Sequence, residues 1–77
     1  MPGRVSGYNF VEPAILKILK SSTISLPTLA INYHVNIAVG RRVNLNVIKK
    51  NLVFLVSHRK ISGKLEANGV TYYKQIL

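Results

Sequence analysis

An α+β fold, three helices followed by a C-terminal β-hairpin, is what this sequence predicts, and three observations carry it. Apolar residues recur at three- and four-residue steps from Val11 onward. Pro13, Pro27 and Asn36 sit where helices start. A β-branched, aromatic run at each end of a basic loop, with the turn dipeptide Asn68-Gly69 before the second run, marks a hairpin. Seventy-seven residues make one small domain, and 48% apolar content argues against disorder because enough surface can be buried to offset chain entropy.

In chain order, residues 1–8, with Pro2, Gly3 and Gly7, read as a flexible arm ahead of a domain over 9–77. Val11, Ala14, Ile15, Ile18 and Leu19 define an amphipathic first helix, with Glu12 and Pro13 in its first turn and Ser21-Ser22 at its end. Thr23-Ile24-Ser25 is a short extended piece. Ser25 is the expected N-cap of a second helix, Leu26 to about Tyr33. A tight turn is expected at His34-Val35-Asn36, and a third helix from Ile37 to Lys50. At about 100° per residue, Val39, Val43 and Val47 form one buried stripe on that helix. Arg41, Arg42, Leu45 and Lys49 fall on its opposite face, Asn44 lies near the core, and Gly40 allows close packing. Leu52-Val53-Phe54-Leu55-Val56 and Val70-Thr71-Tyr72-Tyr73 are the expected strands, with Gly63 and Gly69 in turns. Tyr72 and Tyr73 should take opposite faces. Helix, short strand, helix, turn, helix, hairpin is the order of a winged helix-turn-helix.

The charge restricts function. Eleven Lys and Arg stand against two carboxylates, Glu12 and Glu66, for a net charge of +9. There is no Cys, and His34 and His58 lie far apart without carboxylate partners. No general acid/base pair, thiolate nucleophile or metal-ligand set is available, so neither an enzyme nor a cofactor is expected. The longest apolar run, Leu52–Val56, is five residues against the roughly 18 that a membrane span needs, and residues 1–10 show no secretory signal. A polyanion is the implied partner. Arg41, Arg42, Lys49, Lys50, Arg59, Lys60 and Lys64, seven of the eleven cations, lie between residues 41 and 64 with no acid among them. Arginine forks grip phosphate bidentately and lysine adds point charge.

Thr23 to Lys60, TISLPTLAINYHVNIAVGRRVNLNVIKKNLVFLVSHRK, resembles the eukaryotic and archaeal small-subunit ribosomal protein twenty-five family. Ile24-Ser25-Leu26-Pro27 matches its Ile-Thr-Pro helix start, and Tyr33-His34-Val35 its turn. Val39-Gly40-Arg41 matches its Leu-Ala-Arg, and Leu52-Val53-Phe54-Leu55-Val56-Ser57 its Leu-Val-Ser strand, with basic His58-Arg59-Lys60 following. The resemblance implies a cytoplasmic, non-catalytic constituent of the small ribosomal subunit. Such a protein binds ribosomal RNA beside neighbouring head proteins, through Arg41, Arg42, Lys49, Lys50, His58, Arg59, Lys60 and Lys64. Two other readings of the fold remain: a small winged-helix DNA-binding regulator, and a protein-binding adaptor.

Overall fold

The structure, a computed structural model, describes residues 10–76; the arm expected at 1–8 lies outside them. Six elements follow one another: α1 (Val11–Ser21), β1 (Leu26–Pro27), α2 (Thr28–Val39), α3 (Leu45–Ser57), β2 (Ile61–Leu65) and β3 (Thr71–Gln75). The strands form one antiparallel sheet in the order β1-β3-β2. This is the winged helix-turn-helix that the sequence predicts, although several boundaries fall elsewhere.

α1 follows its pattern closely. Val11, Ile15 and Leu19, four residues apart, are buried and form the floor of the core. Ile31 and Val35 of α2, Val43 just beyond it, Ile48, Leu52 and Leu55 of α3, and Ile61 of β2 complete it.

The second helix is longer than expected and starts later. α2 begins after Pro27, which pairs in β1, so Ser25 is not its N-cap. It runs straight through His34-Val35-Asn36, because Ile31 and Val35 are both core residues on one helical face. It stops at Gly40, whose backbone is left-handed (φ 71°). There the Arg41 N–H donates to the Asn36 carbonyl at 3.2 Å and the Gly40 N–H to the Ile37 carbonyl at 3.3 Å. This pairing satisfies terminal carbonyls and favours glycine at the left-handed position. Gly40 therefore ends a helix rather than easing helix packing.

Residues 40–44 are the true turn between the two helices, and α2 holds it. Asn32 Nδ2 donates to the Val43 carbonyl at 3.0 Å, and Asn36 Oδ1 accepts from the Val43 N–H at 2.7 Å. The Val43 side chain is 2% exposed. Val39, Val43 and Val47 do all face the core, but from the end of α2, the turn and α3 respectively. Asn44 is not a core residue: it caps α3, its Oδ1 accepting from the Asn46 N–H at 2.7 Å.

The largest correction concerns Leu52–Val56, which lies in the second half of α3 and is not a strand. Ile48, Leu52 and Leu55 are fully buried at steps of four and three, a helical spacing that outweighs the β-propensity of the run. The wing consequently starts at Ile61. Gly63 lies in mid-strand opposite Tyr73, where a Cβ would come within 3.0 Å of the Tyr73 ring. Gly69 does occupy the turn (φ 81°), and Asn68 braces it through Oδ1, accepting from the Val70 N–H. Tyr73 packs on the core, while the Tyr72 hydroxyl accepts from Asn68 Nδ2 at 3.2 Å.

The Asn36 side chain supplies the Val43 N–H with its acceptor, so Asn36→Ala should destabilise the fold by about 1–3 kcal/mol. Asn36→Asp keeps an acceptor oxygen and should lose distinctly less. Urea denaturation of both variants checks the order.

Candidate nucleic-acid interface

The sequence-predicted cations fall into three groups rather than on one helix. Arg41 and Arg42 sit in the α2–α3 turn, Lys49 and Lys50 on α3, and Arg59, Lys60 and Lys64 at the base of the wing and on β2. All seven are exposed. Arg41 leans on α1's start, its guanidinium carbon 5.5 Å from the centre of the Phe10 ring. His58 belongs to the end of α3: its ring stacks on Phe54 at 4.0 Å between centroids, and its Nδ1 lies 3.0 Å from the Phe54 carbonyl oxygen. His34 is exposed on α2, edge-on to Tyr33.

The exposed face of α3 is the centre of the site. At about 100° per residue, Val53 falls at the middle of that face, with Lys49 and Asn46 close on either side and Ser57 and Lys50 beyond. Val53 is 67% exposed, and α3 carries no acid. Leu45, expected to be exposed, is half-buried in the first turn. Asn46, Val53 and Ser57 are functional candidates that the expected boundaries hide, because the last two fall in the expected strand and just past it. A signal exists all the same: Ile48, Leu52 and Leu55 at helical spacing place Val53 outward.

Both carboxylates serve the wing. Glu12 lies 3.6 Å from Lys60 Nζ, and Glu66 lies 4.0 Å from Lys64 Nζ. Both lysines are exposed and Glu12 is half-buried, so the pairs hold little energy. Lys50 and Glu12 also line one shallow concavity with Asn51 and Phe54. The start of α1 is thus drawn beside the cations of α3 and the wing, while the outer face of α3 has no carboxylate of its own.

Arg59 carries a second signal. α3 ends as α2 does, with the Lys60 N–H donating to the Leu55 carbonyl at 2.9 Å and the Arg59 N–H to the Val56 carbonyl at 3.0 Å. Arg59 fills the left-handed position (φ 59°) that Gly40 fills in α2, and among the described residues it is the one non-glycine with positive φ. An L-residue there costs about 1–2 kcal/mol. Glycine at this position would relieve the strain.

No family model matches the chain, and no curated protein matches it. Among solved structures, the fold is similar to the Vibrio cholerae ferric uptake regulator, Fur, whose crystal structure is described as revealing a rearrangement of its DNA-binding domains. The TM-score is 0.74 at 13% identity, over 96% of this chain and 54% of that one. This chain therefore spans about half the length of that regulator, and at this identity the fold is what they share. The ribosomal role implied by the resemblance to protein twenty-five does not stand: the structural likeness is to a regulator with DNA-binding domains. The Leu52–Ser57 segment, matched to that family's strand, is helical here.

Relieving the strain at residue 59 is a direct check on the local geometry. Arg59→Gly should stabilise the fold by about 1 kcal/mol, raising the midpoint of thermal unfolding by about 4–8 °C. Arg59→Ala keeps the strain and should give no such rise. Circular dichroism melts of both variants measure the difference.

Proposed function

We propose that this chain is a winged-helix DNA-binding module of a transcription regulator, with no catalytic role. The observation that carries the reading is the exposed face of α3: an apolar Val53 flanked by Lys49, Lys50 and Asn46, on an acid-free helix next to a clamped turn. α3 has 13 residues, a rod about 20 Å long whose diameter, about 10–12 Å, fits the major groove of B-DNA.

Each side chain has a role suited to its chemistry. Lys49 and Lys50 reach guanine O6/N7 or the flanking phosphates, and Asn46 pairs with an adenine edge. Val53 offers a methyl surface to the thymine C5-methyl, a contact that reads sequence without hydrogen bonds. Arg42, Arg59, Lys60 and Lys64 supply phosphate contacts, which fix register and carry no sequence information. The Fur likeness supports this reading through the fold.

The test is selection from a pool of random duplexes, followed by fluorescence anisotropy on the enriched site. A defined sequence should emerge. Lys49→Glu with Lys50→Glu should leave the fold intact, weaken binding steeply and lower the salt slope of log K by about 2, near 0.9 for each phosphate that is no longer neutralised. Val53→Ala should leave the slope unchanged but flatten the preference at thymine positions by about 1–3 kcal/mol. Enrichment of no sequence, or tighter binding to single-stranded RNA than to any duplex, overturns the reading.

A further inference from the structure

His58 ends the flank of α3 that Lys50 and Phe54 begin, each four residues from the next. Its ring is held in one protonation pattern. The Phe54 carbonyl oxygen can only accept, so the Nδ1 that lies 3.0 Å from it carries a proton. Ser57 Oγ, 3.3 Å from Nδ1, does not alter this, because the hydroxyl donates to the same carbonyl at 2.9 Å. The stack on the Phe54 ring, 4.0 Å between centroids, fixes the plane. The neutral ring is therefore the Nδ1–H tautomer, and its charge changes at Nε2. His58 is exposed, and among the described residues Nε2 has no hydrogen-bond partner.

We propose that His58 is a proton-dependent phosphate contact, an inference that rests on reading α3 as a DNA-binding helix. The neutral ring turns a lone pair outward at Nε2 and repels a phosphate oxygen. The protonated ring turns an N–H outward and donates to it, a charge-assisted bond. The surroundings supply the phosphate. Lys50 stands before His58 on α3, Arg59 and Lys60 follow it directly, and Lys64 lies on β2. On the elements packed against α3, Glu12 of α1 is the one carboxylate. It shares a concavity with Lys50 and Phe54, and lies 3.6 Å from Lys60 Nζ. Lys17 and Lys20 of α1 line other hollows, beside Ser22 and Ile24, and α2 contributes only Tyr33 and His34. A phosphate drawn to Lys50, Arg59 and Lys60 thus meets a fourth group whose sign depends on one proton. Binding takes up that proton, so affinity rises as pH falls through the imidazole range.

Fluorescence anisotropy of the full 77-residue chain on a random-sequence duplex tests it, with salt varied at about pH 5.5 and about pH 7.5. Binding should be tighter at the lower pH, with a salt slope of log K steeper by about 0.9, one more phosphate neutralised. His58→Gln, neutral at both pH values, should lose that increment. His58→Arg, charged at both, should show the steeper slope at both. His34 and the amino terminus also titrate in this range and remain in both variants, so they serve as internal controls. Circular dichroism checks that each variant is folded. A wild-type slope that does not change with pH overturns the proposal, and so does an increment that survives in His58→Gln. A +9 chain binds random duplex through charge alone, so the two readings fail separately. Sequence selection without a pH-dependent slope removes the role of His58, while a pH-dependent slope without sequence selection removes the regulator.

Discussion

Two asparagine side chains on α2 grip the backbone of Val43, and the placement of α3 depends on that grip. Asn32 and Asn36 are one helical turn apart, so their amides project side by side. One donates to the Val43 carbonyl and the other accepts from its N–H. With its side chain in the core as well, Val43 is held at three points. A five-residue connection of Gly, Arg, Arg, Val and Asn would otherwise have few reasons to adopt one path. Because Asn44, the next residue, caps α3, the direction of that helix follows from the position of Val43. The clamp uses neutral amides, so neither salt nor pH loosens it, which suits a turn flanked by Arg41 and Arg42.

The order of the elements was legible in the sequence, while several boundaries were not, and for the ends of α2 and α3 the physical reasons differ. Gly40 is a helix terminator, and its meaning was available from its left-handed preference; the apparent stripe Val39-Val43-Val47 concealed it. Those valines do converge on the core, but a capped turn brings them there as readily as a continuous helix. The end of α3 was harder to see. Its terminating motif is the same as that of α2, yet Arg59 stands where glycine would announce it. With no punctuation after Lys50, the β-branched run Leu52–Val56 has the look of a strand. Only the spacing of Ile48, Leu52 and Leu55, three buried side chains on one face, argued for a helix. The Asn68-Gly69 turn was clear because the turn geometry itself selects those residues.

The candidate site was legible in charge and not in shape. The unbroken positive run between residues 41 and 64 correctly marks the side chains that remain exposed, but it spans a turn, a helix, a helix end and a strand. What the sequence could not supply was which neutral residues share the face. Asn46 and Val53 become visible only when α3 extends to Ser57. They matter because cations alone give affinity without discrimination.

Charge is sorted by element in a way that hydrophobic burial does not require. Each acid lies beside a wing lysine, the charged residues of α3 are all cations, and α2 has no Lys, Arg, Asp or Glu. A solvated helix face needs polarity but not a single sign, and an unpartnered helix face needs polarity that α2 lacks. The two departures sit on adjacent helices joined by the clamped turn, so the acid-free cationic face and the exposed apolar face are held at one fixed angle. The Val43 clamp fixes that angle, since loosening the turn would blur both the direction of α3 and its relation to α2.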